Sequence, residues 1–272
     1  MREETQNERI RGDEAPGIDG AGSGEEGTDA SQAPASTPTW KNGALIRLRQ
    51  ITRIYQEGSL EVLALRGVDL DVAKGEFTAL AGPSGSGKTT LLNIIGVLDH
   101  PSSGRVEVAG QDLSRLDKGD AADFRLAKVG FIFQAYNLVP VLTAQENAEF
   151  TLLLRGVPAA ERRKRVMPLL ERVGLEDMKD RRPHELSGGQ QQRIAVVRAL
   201  ATEPAIVLAD EPTANLDSDT SAGLLDLMQE LNQELNTTFL FSTHDPVVID
   251  RARRVVRLLD GRVTTSEVAA AD

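Results

Sequence analysis

The chain has no cysteine, which excludes disulfides, thiolate-bound zinc and thiol chemistry and fits a cytosolic setting. No window approaches 18 consecutive apolar residues, so no segment is expected to span a bilayer as a helix. Residues 1–29 are acidic and lack an apolar stretch, so no secretory signal is expected there. Any membrane attachment is therefore expected to run through another chain. A basic stripe is also missing. The net charge is −10, and the first forty residues hold nine carboxylates against three arginines. The remainder is closer to neutral, and no nucleic-acid partner is expected. What remains is 272 residues, 40% of them hydrophobic, enough for one large α/β domain or a domain with a sub-lobe and a tail.

Residues 1–42 are rich in Gly, Ser, Ala, Thr, Pro and acid, with Ile10 and Ile18 as the large aliphatic residues. They are expected to form a disordered acidic tail. From Leu45 onward, Ile46-Arg47-Leu48, Ile51 to Tyr55, Val62 to Leu65 and Val68 to Val72 alternate like short strands, with Gly58 and Gly67 as turn signals. A small antiparallel sheet is the expected result.

The apolar run Phe77 to Ala81 leads into Gly82-Pro83-Ser84-Gly85-Ser86-Gly87-Lys88-Thr89 and then into the breaker-free segment Thr90 to Ile95. Strand, G-x-x-x-x-G-K-[ST] loop and helix together are the context of a phosphate cradle. Glycines let phosphate oxygens approach the backbone, and the helix start adds unpaired N–H groups. Lys88 is placed to reach the β and γ phosphates and Thr89 to offer its hydroxyl to Mg²⁺.

Two further strands end in polar residues. Val129 to Phe133 runs into Gln134, and Ala205 to Ala209 runs into Asp210-Glu211. Gln134 has a plain use in capping the sheet edge and a sharper one in reaching a metal or water at the γ phosphate. In an open α/β sheet, ligands bind at the carboxyl ends of strands. Asp210 is expected to hold Mg²⁺ and Glu211 to polarise an attacking water. Thr238 to Asp245 is another strand ending in a polar cluster that contains His244, and Val255 to Leu259 with Arg262 to Thr264 reads as a hairpin around Asp260-Gly261.

Between Gln134 and Ala205, Leu142–Leu154 and Ala159–Val173 read as helices of a separate lobe. Pro168 is expected to kink or interrupt the second, and the Glu161 to Arg165 run is expected to be a solvated face. Ser187 fits an N-cap followed by Gly188 and Gly189 in the first turn of a helix from Gln190 to Ala201. Each glycine costs such a helix about 1 kcal/mol, which a phosphate approaching the helix start explains. Tyr55 reads either as a half-buried strand tyrosine or as a platform for a purine, and Asp217 as the cap of a helix starting near Asp219.

Five elements in fixed order resemble the ATP-binding-cassette (ABC) ATPase family: Gly82 to Thr89, Gln134, Leu186-Ser187-Gly188-Gly189-Gln190, Asp210-Glu211 and His244. The resemblance covers roughly residues 44–265. It implies an α/β fold, with a P-loop nucleotide-binding core, an antiparallel β subdomain and a helical subdomain at about 137–190. The cassette domain is expected at 43–265, with a short C-terminal tail at 266–272. The implied activity is ATP hydrolysis, with ATP and Mg²⁺ as cofactors.

In that resemblance Tyr55 would stack on adenine. Gly82, Pro83, Ser84, Gly85, Ser86, Gly87, Lys88, Thr89 and Thr90 would hold phosphates, with Thr89, Gln134 and Asp210 serving Mg²⁺. Glu211 would be the catalytic base and His244 would brace the γ phosphate and water. Gln134 would sense the γ phosphate and the transport partner. Ser187, Gly188 and Gly189 would contact the γ phosphate bound by a second copy in a head-to-tail dimer, with Asp217 at the seam.

Within the family, Phe133 to Pro140, Leu142 to Asn147 and Leu208 to Thr213 are similar to the lipoprotein-releasing and macrolide-exporter branch. This implies an integral-membrane permease partner and a cytoplasmic location, peripheral on the inner face of the cell membrane. The sequence departs from the pattern at Ala214, where glycine is usual, at Gln145, where an apolar residue is usual, and in its acidic tail. The competing reading, a soluble ABC ATPase of DNA repair or translation, would call for a second cassette or a long heptad segment, and neither is present. A GTPase would call for N-K-x-D, which is also missing.

Overall fold

The computed structural model describes residues 43–58 and 60–268. The expected acidic tail, 1–42, lies outside them. Strands β1 (Ala44–Glu57) and β2 (Leu60–Ala73) form a long antiparallel hairpin, and β4 (Ser103–Val108) with the short β5 (Gln111–Asp112) completes a sheet of order β2-β1-β4-β5. The expected run of short strands is thus two strands of 14 residues. Gly58 is the turn, but Gly67 sits inside β2 at φ 77°, opposite the register shift between Ile51 and Thr52. It serves a bulge, where one residue too many is absorbed without breaking the strand.

The second sheet has six strands in the order β10-β9-β3-β8-β7-β6. These are β3 (Phe77–Ala81), β6 (Val129–Phe133), β7 (Ile206–Asp210), β8 (Thr238–Thr243), β9 (Arg254–Leu259) and β10 (Arg262–Val268). β9, β3, β8, β7 and β6 run parallel, and β10 returns antiparallel to β9 through Asp260 and Gly261, both at positive φ. β10 pairs through Val268↔Arg254, so the ordered sheet continues three residues past 265 because the hairpin ladder does.

Strand alternation sends alternate residues to opposite faces. Leu80, Leu208, Leu240 and Val256 pack with the antiparallel sheet around α1 (Lys88–Ile95), while Phe77, Val207, Phe239 and Phe241 pack against α5 (Gly188–Leu200) and α6 (Ser218–Leu235). A third cluster lies among α3 (Ala144–Leu154), α4 (Ala159–Arg172) and α5, through Ala148, Leu152, Val166, Leu170, Ile194 and Val197. Helix α5 therefore belongs to two cores at once. The remaining helices are α2 (Lys118–Lys128) and α7 (Pro246–Arg251).

Pro168 does not interrupt α4. Pro168 and Lys164 are both exposed, so the Lys164 carbonyl that the missing N–H leaves free lies on the solvent side of the helix. The charged face is also not wholly solvated. Arg162 turns inward to Glu149 at 3.0 Å, and Gln145 donates to the other oxygen of that carboxylate at 2.6 Å. Gln145, polar where an apolar residue is usual, is thus matched to a buried acid.

Arg254 is 4% exposed and gives its guanidinium to Glu76, to the Asp71 carbonyl and to Ser266. It ties β9, β10 and β2 to the turn before β3. Arg254→Met leaves the Glu76 carboxylate buried without its cation, and about 3–5 kcal/mol of stability is expected to be lost. Urea melts of the two proteins at one pH check this, and a midpoint unchanged with an unchanged slope refutes it.

Candidate active site

The phosphate loop hangs between β3, buried along its whole length, and α1. Gly87, the residue before the helix, has φ 102°, a conformation that L side chains rarely adopt. Gly82 is needed for a different reason. A Cβ there would lie 2.1 Å from the Leu258 carbonyl oxygen of β9 and 2.9 Å from Ser86 Oγ. The C-terminal hairpin is therefore the outer wall of the loop, and the Gly261 N–H donates to the Ser86 carbonyl at 3.0 Å. Lys88, 6% exposed, folds its ammonium back onto the carbonyls of Gly82 at 2.8 Å and Pro83 at 3.0 Å. Ser86 Oγ is buried and has no hydrogen-bond partner among the described residues.

The carboxyl ends of β3, β7 and β8 meet here. The Thr89 hydroxyl donates to Asp210 Oδ1 at 3.1 Å, and the Ser242 hydroxyl donates to the same oxygen. A hydroxyl and a carboxylate with further oxygens nearby are the hard donors that suit Mg²⁺, which takes few protein ligands and keeps waters and phosphate oxygens. Among the described residues no group of three or more His, Cys, Asp or Glu forms a cage for an ion.

Glu211 takes φ 47°, and its N–H donates to the Ser242 carbonyl at 3.0 Å. The left-handed turn swings its side chain off the strand line to His244, whose Nδ1 lies 2.9 Å from Glu211 Oε1. Gln134 follows β6 in the same row, since Phe133 pairs with Asp210. Its side chain is exposed, and its carbonyl accepts from Asn215 Nδ2 at 2.8 Å.

Ser187 caps α5 in a capping box with Gln190: Ser187 Oγ accepts from the Gln190 N–H, and Gln190 Oε1 accepts from the Ser187 N–H. The two glycines have neighbours within the chain. A Cβ at Gly188 would lie 2.8 Å from the Tyr136 hydroxyl, and one at Gly189 would lie 2.5 Å from Thr220 Cγ2. Among the described residues no hydrogen bond joins Ser187, Gly188 or Gly189 to the phosphate loop. Asp217 caps α6 by accepting from Thr220 N–H and Oγ1, which holds its carboxyl below the usual range. Ala214 is absent from the residues at positive φ, so alanine meets no backbone obstacle there.

Tyr55 donates its hydroxyl to Asp99 at 2.7 Å, and the Arg53 guanidinium carbon stands 4.5 Å from the ring centroid while also pairing with Asp99. Lys88, Thr89, Asp210, Glu211 and His244 are thus gathered at the carboxyl ends of the central strands. Tyr55 and Ser187–Gly189 stand on other elements. Ser242, Asn215 and the Gly261 turn are site neighbours that residue reasoning missed. Only Ser242 carried a signal, as part of a polar strand end.

The family description "ABC transporter" matches residues 65–214. Over 231 residues the chain is 47% identical to the lipoprotein-releasing system ATP-binding protein LolD of Anaeromyxobacter dehalogenans, covering 85% of this chain and 94% of that one. It is 46% identical over 219 residues to the macrolide export ATP-binding/permease protein MacB of Brucella abortus, covering 80% of this chain but 34% of that protein, about a third of its length. Among solved structures, the dimeric post-hydrolysis ATP-binding cassette MJ0796 bound to ADP and Pi superimposes with TM-score 0.76 at 41% identity, covering 84% of this chain and all of that one. The nucleotide loop, the paired carboxylates and these likenesses agree: the chain belongs to the ABC transporter family, as an ATP-hydrolysing cassette.

Proposed function

We propose that this cassette works as a head-to-tail pair of identical copies on the cytoplasmic side of the cell membrane, docked there on a separate integral-membrane permease. The observation that carries the reading is the row Thr89–Asp210–Ser242 with Glu211 and His244 held 2.9 Å apart beside it. The Gly82–Thr90 loop binds the phosphates of ATP, and Tyr55 receives the adenine. Lys88 leaves the two carbonyls it now contacts and turns its ammonium to the β and γ phosphates. Thr89, Asp210 and Gln134 hold Mg²⁺, which neutralises charge on the phosphates when bound.

Glu211 orients the attacking water and accepts its proton, while His244 fixes the carboxylate and faces the γ phosphate. Positioned charge supplies much of the rate in such a transfer. Ser187, Gly188 and Gly189 of one copy close over the γ phosphate held by the other, with Asp217 at the seam. This is supported by the dimeric state of the superimposable cassette. Among the described residues no helix is long and apolar enough to cross a membrane; in this reading the permease provides the anchorage. The likenesses to LolD and MacB favour lipoprotein release or macrolide export as the coupled work, with peptide export as a further form of the same reading.

Tagged Glu211→Gln protein, mixed with ATP and solubilised native membranes and then purified, tests the assignment. Mass spectrometry is expected to identify an integral-membrane chain with a large extracytoplasmic domain. Reproducible recovery of ribosomal or DNA-associated chains alone would overturn the membrane coupling while leaving the ATPase chemistry intact.

A further inference from the structure

The turn that follows Gln134 is held in an unusual way. Tyr136 and Asn137 are consecutive non-glycine residues at positive φ, 58° and 51°, a region that side chains with a Cβ avoid. Their carbonyls converge on one side chain: Arg198 of α5 donates through Nη2 to the Tyr136 oxygen at 2.7 Å and through Nη1 to the Asn137 oxygen. No carboxylate raises the pKa of Arg198, and burial lowers it. The partly buried guanidinium is thus satisfied by two backbone oxygens rather than by a carboxylate.

The same turn is tied at two more points, by Asn215 Nδ2 on the Gln134 carbonyl at 2.8 Å and by the Tyr136 hydroxyl standing where a Gly188 side chain would be. Three segments converge on it: the last turn of α5, the start of α5, and the stretch before α6.

We propose that Arg198 is a positioning residue, a clamp that holds the Tyr136–Asn137 turn in its left-handed form and so fixes the Gln134 side chain relative to the Ser187–Gly189 end of α5. The clamp rests on the reading of Gln134 as a γ-phosphate-facing group. Its consequence is mechanical. Because α5 belongs to both the sheet core and the helical lobe, displacement of the lobe is transmitted through Arg198 to Gln134 as one rigid step. The planar guanidinium offers two donors in fixed directions, whereas an ammonium acts as a point charge. Lysine at this position therefore keeps the charge and loses the fork.

The test compares wild type with Arg198→Lys and Arg198→Ala in the full chain. Arg198→Lys is expected to lower kcat for ATP about 10- to 100-fold with KM little changed, the pattern of a group displaced by a fraction of an ångström in the transition state. Hydrogen exchange at the amides of 135–138 is expected to accelerate about tenfold in the same protein. Both changes are required. Wild-type kcat, wild-type exchange, or a raised KM and lowered Tm at unchanged kcat each overturn the clamp and reduce Arg198 to packing. Arg198→Ala is expected to exceed Arg198→Lys in both readouts, and the lysine variant keeps the test decisive if the alanine variant fails to fold. Glu211→Gln, measured in parallel, separates the two readings. If it loses turnover while Arg198→Lys is normal, the clamp alone is wrong. If it keeps full turnover, the catalytic reading is wrong whatever Arg198 does.

Discussion

Glu211→Gln is expected to reduce steady-state ATP hydrolysis by about 10²- to 10⁴-fold, the range supplied by a positioned general base. The substitution is nearly isosteric, so the amide keeps a group for His244 to hold where the carboxylate now accepts at 2.9 Å. What it removes is the capacity to take a proton. The phosphate loop, Thr89 and Asp210 are untouched, and ATP affinity is expected to stay close to that of wild type. Dimer closure driven by ATP is then no longer reversed by hydrolysis, and the variant is expected to accumulate as a nucleotide-dependent dimer on size exclusion. Released phosphate and elution volume measured on one preparation check both halves. Normal turnover would transfer the role of base to another group. Lost turnover without a dimer would uncouple closure from the γ phosphate.

Gly82→Ala is expected to weaken ATP binding by about 100-fold or more, equivalent to roughly 2.7 kcal/mol. The cause is a collision rather than a lost contact, since the added methyl carbon would sit 2.1 Å from the Leu258 carbonyl oxygen. Either β9 shifts outward or the loop shifts inward, and each moves the amides that face the phosphates. Overpacking of this kind costs about 1–3 kcal/mol in stability, or roughly 2–10 °C in Tm for a domain of this size. Titration with a fluorescent ATP analogue and a thermal melt measure the two effects. Gly85→Ala is a useful comparison because no atom lies within 4 Å of the added carbon, although φ 78° still strains it. A variant at Gly82 that binds ATP normally would show that the hairpin yields freely and does not wall the loop.

Much of this was legible in the residues because it is local. The spacing of Gly82, Gly87, Lys88 and Thr89 and the polar ends of β6, β7 and β8 lie within single strand-turn units, where chain direction alone decides which end faces the ligand. The antiparallel sheet and the capping role of Asp217 followed from similarly short patterns. What stayed hidden depends on partners far along the chain. Arg198 meets Tyr136 across 62 positions, and Gly82 meets Leu258 only because β9 lies beside β3. The same blindness explains the corrections. Gly67 read as a turn because its bulge exists only opposite β1. Arg162 read as solvated because Glu149 comes to it from another helix. Pro168 read as a breaker because its exposure was unknown.

The strand order has a consequence for how the protein is made. β3 is paired on one side with β8 and on the other with β9, and both are translated long after it. When Phe77–Ala81 leaves the ribosome it has two open edges, and the strands that pair with them, β8 and β9, follow only after more than 150 residues. Such long-range pairing is slow and leaves a nascent chain prone to wrong partners. The phosphate loop is among the first functional pieces to be synthesised and among the last to acquire its shape, because Leu258 and Gly261 complete its wall. Nucleotide capture during folding is therefore expected to report that β9 and the Asp260–Gly261 turn have joined the sheet.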